Sequence, residues 1–486
     1  MRRSTKRILG ATAAVALLVS ACENPWWQDG NENGDAPPGA VSGLSGAPRD
    51  GAARLTWTDP SADDLAEVRI TWTPEDGTAQ PLTVAAETEE ASVSGLTNGR
   101  SYEFSVVAVN EDGLSSSAET AVVTPVEPGS TAWSYSATAA VETRPAVAED
   151  GTIYVSVDGR VSALGPDGSE EWSTPLAGSS FRSPIIAPEG HVYVASQDVL
   201  YKLSSEGTLL DSYNPDPPIA GTAAVASDGT VYLGTGDRFA DADFRLIALT
   251  AEDLTVAWER ADWDALPQDI AVAADGTVYA IRGTVLLALD PADGSSLWNW
   301  QADPDNPPSL FGLAIGEDGT IHVGDGAGRV YALSPAGNQV WTATDPFSAI
   351  DGSPVIGPAG NVYSAHAGTV YAFDGTDGSL QWSFGTDSLT QAAPTVGTDG
   401  TIYVPRTSGG GSSPAGVTAV NADGTERWAR ELSSDVEAAL TVAPGGLVLA
   451  GTQAGELLAL RSFVDGPADT PWPGYGGNLR NDSRAR

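Results

Sequence analysis

The residue types that most often do chemistry in enzymes are scarce in this sequence. It has three histidines, His191, His322 and His366, and a single cysteine, Cys22, in 486 residues. The histidines stand at different offsets in the repeat described below, so they share no position and do not predict a zinc site or a histidine-based catalytic pair. One cysteine excludes an internal disulfide, a cysteine-rich zinc site and a redox pair. We therefore expect no catalytic residue and no cofactor.

Carboxylates are abundant, but their pattern favours turns over catalysis. Most recurring acids stand in Asp-Gly pairs, which are typical of hairpin turns. One loop contains Asp237, Asp241 and Asp243 and has the oxygen ligands that Ca²⁺ prefers. It lacks the order of a calcium-binding EF-hand loop, so a solvated loop is the favoured interpretation. The glycine-rich stretch 408–412 lacks the lysine of a phosphate-binding loop and indicates a flexible insertion.

The charge balance limits the kinds of partner. Lys and Arg number 24 against 64 Asp and Glu, which gives a formal net charge of −40. Nucleic acid is excluded as a partner, because binding phosphates requires a basic surface. Hydrophobic residues make up 41% of the chain, enough for a packed core.

The first 21 residues are typical of an export signal. Four basic residues precede a short apolar run from Ile8 to Val19, and small residues precede Cys22. The run is shorter than the ~20 apolar residues that a membrane helix needs. The segment resembles a bacterial lipoprotein signal peptide, which implies that Cys22 is acylated and becomes the mature N-terminus. The alternative is a plain signal peptide in which the cysteine stands by chance.

This resemblance implies a protein anchored by lipid in the bacterial cell envelope, facing outside the cytoplasm. Residues 22–37 are rich in Gly, Asn, Asp and Pro and predict a flexible tether.

Residues 38–125 predict a β-sandwich. The segments Ala53–Trp57, Val68–Trp72 and Tyr102–Val109 alternate in polarity as half-buried strands do. The motifs Leu55-x-Trp57 and Leu96-Thr-Asn-Gly-Arg-Ser-Tyr102 resemble the fibronectin type III domain, which implies that Tyr102 forms a tyrosine corner with upstream backbone. Such modules serve as spacers or as binders. We favour a spacer, because the Arg-Gly-Asp adhesion tripeptide is absent from the sequence.

A repeat of about 40 residues fills the segment 126–486. Each copy has a turn glycine, then Ile or Val two residues on and usually Tyr after that, followed by a second strand, a second turn and usually Trp. In the second copy Asp211 stands in the Trp position. Such units of several hairpin-linked strands predict propeller blades. The turn glycines are Gly151, Gly190, Gly229, Gly276, Gly319, Gly360, Gly400 and Gly446.

The last repeat predicts how the chain ends join. It finishes after Leu460 without a tryptophan strand, whereas Trp133 precedes the first repeat and belongs to none. We predict that the strand around Trp133 completes the last sheet, which would close eight blades into a ring without a long exposed edge. The tail from residue 471 is expected to lie back over this closure.

The repeat pattern DGTIYV…G-x-V-x-A-L…W resembles the pyrroloquinoline quinone (PQQ) repeat of eight-bladed quinoprotein-like propellers. That family includes PQQ-dependent alcohol dehydrogenases and non-catalytic members such as the BamB-type lipoprotein scaffold of outer-membrane assembly. The resemblance implies an all-β chain with a fibronectin type III sandwich followed by an eight-bladed β-propeller. The dehydrogenases hold PQQ against a disulfide between adjacent cysteines, with Ca²⁺ beside it, and this sequence has no cysteines to form that bond.

We therefore expect a non-catalytic, membrane-anchored monomer whose propeller binds an envelope protein or another macromolecule. Two alternatives stay open at this point. One is a PQQ-dependent oxidoreductase. The other is a hydrolase or lyase that uses acids in the central channel, an alternative that no sequence motif supports.

Overall fold

The computed structural model describes residues 36–485, except 62–64, 74–80, 238–241, 264, 266, 304, 306–307, 345–352, 387, 390–391, 410–413, 475, 479 and 484. All the regular secondary structure in this part of the chain is β-strand, so the fold class is all-β as predicted. None of the described residues form a helix of the length and apolarity needed to cross a membrane. The chain divides into two compact units: the first ends at Thr124, and the second contains the residues from Pro125 onward together with the short segment Arg49–Gly51.

The first unit has two antiparallel sheets. Its strands, β1 to β7, are Ser42–Arg49, Ala52–Thr58, Leu65–Trp72, Leu82–Ala85, Glu90–Ser94, Tyr102–Asn110 and Glu119–Val123. One sheet has the order β1-β2-β5 and the other the order β4-β3-β6-β7. The three strands predicted from polarity alternation lie within β2, β3 and β6.

Alternation places the core of this unit. On β6, Tyr102, Phe104, Val106 and Ala108 are all buried on one face, as predicted. The hydroxyl of Tyr102 accepts a hydrogen bond from the backbone N–H of Thr97 at 3.0 Å. This bond to upstream backbone confirms the tyrosine corner.

The second unit contains eight four-stranded antiparallel sheets, numbered here in chain order. Sheets 1 to 4 consist of β9–β12 (Ala146–Val147, Ile153–Val157, Arg160–Leu164, Glu170–Pro175), β13–β16 (Ile185–Ile186, Val192–Ala195, Leu200–Leu203, Leu209–Tyr213), β17–β20 (Ile219–Val225, Val231–Asp237, Ala242–Leu249, Val256–Trp263) and β21–β24 (Pro267–Val272, Val278–Arg282, Val285–Leu289, Ser296–Gln301).

Sheets 5 to 7 consist of β25–β28 (Leu310–Ile315, Ile321–Asp325, Arg329–Leu333, Gln339–Thr344), β29–β32 (Val355–Ile356, Val362–His366, Thr369–Phe373, Leu380–Gly385) and β33–β36 (Thr395–Val396, Ile402–Arg406, Gly416–Val420, Glu426–Glu431). Sheet 8 combines β37 (Thr441–Ala443), β38 (Leu447–Gly451) and β39 (Glu456–Arg461) with β8 (Thr131–Ser136) from the start of the unit.

The recurring aspartates form turns between the first and second strands of the sheets. In the first repeat Asp150 Oδ1 accepts the backbone N–H of Thr152 at 2.9 Å, and Gly151 has a φ of +89°, which favours glycine. The same Asp-to-Thr bond, at 2.9–3.0 Å, recurs in four further repeats at Asp228, Asp275, Asp318 and Asp399.

The aromatic residues of the repeat join six of the eight sheets to the next sheet among the described residues. Tyr154 and Trp172 lie on either side of the small Ala163 in sheet 1, with ring centroids 5.8 Å apart. The indole N–H of Trp172 then donates to Ser205 O in sheet 2 at 2.9 Å. Bonds of 2.8–2.9 Å of the same kind are made by Trp133, Trp258, Trp298, Trp341 and Trp382.

Sheet 2 makes this connection with a different residue. Lys202 stands where other repeats have alanine, and its register partner is Asp211, in the tryptophan position. The Lys202 ammonium donates to the carbonyl oxygen of Ala251 in the turn of sheet 3, and it lies 3.4 Å from Glu252 O. Where the repeat lacks the indole donor, a buried lysine replaces it.

Strand β8 pairs with β39, and Trp133 lies opposite Ala459. This confirms that the N-terminal strand supplies the strand that the last repeat lacks. Sheet 8 also contacts both of its expected neighbours. Trp133 Nε1 donates to Pro166 O of sheet 1, and a Cβ atom on Gly129, just before β8, would lie 2.9 Å from the Trp428 indole of sheet 7.

The C-terminal tail runs farther than predicted. Its carbonyl oxygens accept backbone N–H groups from the innermost strands of sheets 2, 3, 4, 6 and 7 rather than only from the closure. The innermost strands have a free edge, and the tail satisfies backbone groups along it. The bonds, at 2.8–2.9 Å, are Ile186 to Arg480, Val225 to Asp482, Val272 to Ser483, Ile356 to Trp472 and Val396 to Pro473.

Candidate functional site

One position of the repeat lies between two residues before the innermost strand and the fourth residue of that strand. It stands seven residues before the turn glycine in all eight repeats, so its residues occupy equivalent places in the eight sheets. Two of the eight residues are charged, one arginine and one aspartate. The eight are Arg144, Ser183, Thr222, Asp269, Gly312, Ser353, Ala393 and Ala439.

A cavity of ≈ 220 Å³ lies beside this position. Arg144, Ser183, Asp269 and Ser353 line it, together with residues of the tail. The cavity therefore brings side chains from sheets 1, 2, 4 and 6 to one place. It is lined by residues of both charges, in contrast to the strongly acidic chain as a whole.

The polar side chains of the cavity bond to neighbouring backbone. Ser183 Oγ accepts the N–H of Arg144 at 3.0 Å, and Asp269 Oδ2 accepts the N–H of Gly312 at 2.9 Å. Arg144 Nε donates to Leu440 O at 3.2 Å. These bonds join successive innermost strands.

Burial controls the ionisation of the acid in this cavity. It raises the pKa of Asp269 above its usual range, and the hydrogen bond from Gly312 opposes this only in part. A carboxyl with a raised pKa can carry a proton, so Asp269 can both donate and accept hydrogen bonds near its pKa.

Two tail residues face the same cavity with polar atoms that lack a partner among the described residues. Asn481 donates through Nδ2 to Arg144 O at 3.3 Å and Pro184 O at 3.0 Å, which leaves its Oδ1 unpaired. The indole N–H of the buried Trp472 is also unpaired. The site can therefore hold water or a small polar group, and the tail itself forms much of its wall.

Residues 119–309 and 326–462, well over half of the chain, match the PQQ-repeat family model described as outer membrane protein assembly factor BamB. The chain belongs to this family. Residues 36–124 match the fibronectin type III domain, which agrees with the sandwich of the first unit.

Solved protein structures resemble this chain in fold. The computationally designed Ika8 protein aligns with 69% of this chain and 99% of its own, with a TM-score of 0.57 and 13% identity. The quinohemoprotein alcohol dehydrogenase ADHIIG from Pseudomonas putida HK5 aligns with 71% of this chain and 78% of its own, with a TM-score of 0.55 and 15% identity. At such identities the likeness shows the propeller-like fold alone.

A curated relative matches in sequence over a shorter stretch. The serine/threonine-protein kinase AfsK of Streptomyces griseus is 32% identical over 156 residues, which are 30% of this chain and 18% of the kinase. The chain thus spans under a fifth of that protein.

The cavity does not fit the quinone cofactor that part of the PQQ-repeat family uses. Its ≈ 220 Å³ is below the range of roughly 300–1,000 Å³ typical of sites for small molecules and cofactors. Trp472 and Asn481 of the tail form its wall, and the sequence has no cysteine pair to pack against a quinone ring.

Among the residues that the structure describes, those singled out from the sequence do not meet at one site. Cys22 and Asp241 lie outside the described residues. His191 lies before β14 with its Nδ1 3.3 Å from Glu189 Oε1, His322 is buried in β26, and His366 ends β30. Among the described residues, no three His, Cys, Asp or Glu side chains are grouped so as to hold a metal ion.

The cavity residues were missed in the sequence, although a signal for them exists. The constant seven-residue offset from the turn glycine identifies all eight positions, and Arg144 and Asp269 are its charged members. Nothing comparable identifies Trp472 and Asn481, because the tail has no repeat to place it.

Proposed function

We propose that this PQQ-repeat protein is a non-catalytic scaffold of the bacterial envelope, held to a membrane by lipid at Cys22. Its second unit is an eight-bladed propeller that binds another envelope protein, and its fibronectin type III unit is a spacer. One observation carries the proposal: the chain's own tail bonds to five innermost strands and forms part of the wall of a cavity of ≈ 220 Å³, which is smaller than the roughly 300–1,000 Å³ typical of cofactor sites.

The contacts of sheet 8 support a closed ring of eight blades. A single apolar cluster contains Val147, Ile153 and Leu164 of sheet 1 together with Leu449 and Leu457 of sheet 8. With the Trp428 contact to sheet 7, this links sheet 8 to both neighbours. A closed ring offers rigid loop-lined faces, which suit binding of a macromolecule.

The surface charge supports a basic partner. With a formal net charge of −40, the protein attracts positively charged surfaces and its association is expected to weaken with salt. The family resemblance and the lipoprotein-like signal both support a place in the envelope, facing outside the cytoplasm.

The alternative function is a PQQ-dependent oxidoreductase. The likeness in fold to a quinohemoprotein alcohol dehydrogenase favours this alternative. The purified mature protein should be assayed with PQQ, Ca²⁺, an electron-accepting dye and a panel of alcohols and aldoses. We expect no turnover and no bound quinone absorbance. Turnover that disappears when PQQ is omitted would overturn the scaffold in favour of the dehydrogenase.

A positive test identifies the partner. Crosslinking in the native organism, followed by identification of captured proteins, should recover the same envelope protein repeatedly with the wild type. A variant that lacks the fibronectin type III unit but keeps the signal, the tether and residues 125–486 should still capture it if that unit is a spacer. Loss of capture only when this unit is removed would assign the binding to the sandwich instead.

A further inference from the structure

The fifth repeat departs from the others at His322, where six of the remaining seven have tyrosine. In the first repeat Tyr154 OH lies 3.4 Å from Ser205 O, the same turn carbonyl that accepts the Trp172 indole. In the fifth repeat Trp341 alone makes the corresponding bond, to Gly375 O at 2.9 Å. An imidazole is shorter than a phenol, so the substitution leaves space between sheet 5 and the first turn residues of sheet 6.

A cavity of ≈ 590 Å³ occupies this region. Its lining contains four carboxylates, from Glu317, Asp318, Asp374 and Asp469, and it contains neither lysine nor arginine. Glu317, Asp318 and Asp469 are exposed, so the cavity is open to solvent on its acidic side. It lies away from the innermost-strand cavity and shares no lining residue with it.

Two of the four carboxylates are held in place by local hydrogen bonds. Asp318 accepts from the N–H and the hydroxyl of Thr320 at 2.9 and 2.8 Å, and Asp374 accepts from Thr376 N–H at 2.8 Å and Gln381 Nε2 at 3.0 Å. Each carboxylate oxygen has more than one lone pair, so these bonds leave capacity for a further donor. The cavity thus has preorganised acceptors.

His322 adds a second, independent feature. Its side chain lines the cavity, it is 4% exposed, and its Nδ1 has no hydrogen-bond partner among the described residues. Burial lowers the pKa of His322 to about 4, although the nearby Asp318 carboxylate opposes the shift. The imidazole is therefore neutral at physiological pH, and a neutral imidazole offers one nitrogen as an acceptor.

We infer that this cavity, formed by His322 and the carboxylates of the sheet 5 and sheet 6 turns, binds the guanidinium group of an arginine side chain from a basic partner. A guanidinium is planar, always charged and rich in donors, which matches several fixed carboxylate oxygens and one neutral imidazole. The inference rests on the proposed function only for the source of the arginine, a protein partner.

The three histidines provide the readout. In NMR spectra of the wild type with labelled histidine, we expect one imidazole signal for each of His191, His322 and His366. The His322→Tyr and His191→Tyr variants each lose one signal, which assigns all three. A short capped peptide with one arginine should move the His322 signal saturably at low salt. The same peptide with citrulline, which has the shape without the charge, should leave the signal in place. Free agmatine tests whether an isolated guanidinium is sufficient.

Two variants test the pocket itself. His322→Tyr restores the residue of the other repeats and should abolish binding measured by calorimetry, while the melting temperature stays at or above that of the wild type. Asp374→Asn should weaken binding about five-fold, the upper range for one exposed charge pair. His191→Tyr, on a histidine outside the cavity, is the matched control and should bind the arginine peptide like the wild type.

Equal binding of arginine and citrulline peptides would overturn the inference, as would arginine binding that survives both His322→Tyr and Asp374→Asn. Failure of this pocket is distinct from failure of the scaffold. Absent arginine binding leaves the other propeller surfaces for a partner, whereas PQQ-dependent turnover would overturn the scaffold and leave the pocket result unchanged.

Discussion

The indole N–H of Trp133 donates to the carbonyl oxygen of Pro166 at 2.9 Å, so the first strand of the propeller unit bonds across to the first repeat while pairing with the last. A Cβ atom on Gly168 would lie 2.5 Å from the Trp133 ring, so the indole packs against this turn only because the residue there is glycine. This relationship makes β8 the element that joins the two ends of the chain's repeat array.

Trp133→Ala should destabilise the propeller unit by about 2–4 kcal/mol, somewhat below the ~3–5 kcal/mol typical of a fully buried tryptophan, because the side chain is half-buried. The measurement is urea unfolding. Leu297→Ala, at an exposed apolar residue of β24, is the control and should change stability by less than about 0.5 kcal/mol. A chain that lacks residues 126–140 yet melts like the intact propeller would refute closure by β8.

Lys202→Met should destabilise sheet 2 by about 1–3 kcal/mol, because it removes a buried donor and leaves the Ala251 carbonyl without it. Methionine keeps most of the aliphatic volume, so the loss reports the ammonium rather than the packing. Leu209→Met on the exposed side of β16 serves as the control. If both variants unfold at the wild-type urea concentration, the lysine does not replace the indole as a connector.

The repeat-coded features could be predicted from the sequence, and the reason is physical. Asp150 and Gly151 form their turn through local bonds, and Trp172 needs a small residue such as Ala163 beside it, so each repeat carries its own structural instructions. The pairing of β8 with β39 could be predicted because the last repeat lacks a Trp strand, whereas an additional Trp strand precedes the first repeat.

The path of the tail could not be predicted in the same way. Residues 472–483 bond through their carbonyl oxygens to backbone N–H groups, which every residue except proline has, so no side-chain pattern marks the contact. The sequence did contain a signal for the role of Lys202, because a lysine in the alanine position and Asp211 in the tryptophan position occur in the same repeat. That coincidence becomes meaningful only when the indole is known to donate to the next sheet.

Acid should destabilise the propeller unit through His322. Its folded pKa of about 4 lies below the ordinary value of 6.5, so the unfolded chain binds more protons between these values and stability falls as pH falls through this window. The full shift in the pKa of His322 corresponds to about 3 kcal/mol in the free energy of unfolding. Other acidic groups are present in both the wild type and the His322→Tyr variant, so the measurement is the difference in stability between these two proteins. A stability difference that stays constant from pH 7 to pH 4 would contradict the burial of a neutral His322.

Cys22→Ala should release the protein from the membrane fraction, since stable anchoring requires more than one acyl chain and both would depend on this residue. Expression in the native host, fractionation and immunoblotting give the result. Ser20→Ala, which keeps a small residue before the cysteine, should remain with the membranes. An unchanged membrane fraction for Cys22→Ala would show that acylation at this residue does not hold the protein there.

Salt should stabilise the mature protein. Removal of residues 1–21 deletes four bases and no acid, which leaves a formal net charge of −44. Like charges repel across the compact state, and the screening length falls from ~30 Å at 0.01 M salt to ~3 Å at 1 M. We therefore expect the melting temperature to rise with NaCl, most steeply at low concentrations where screening changes fastest. Sucrose, which adds no ions, is the control for general solvent effects. A melting temperature that stays flat from 0.01 M to 1 M NaCl would show that the acidic surface serves solubility without opposing the fold.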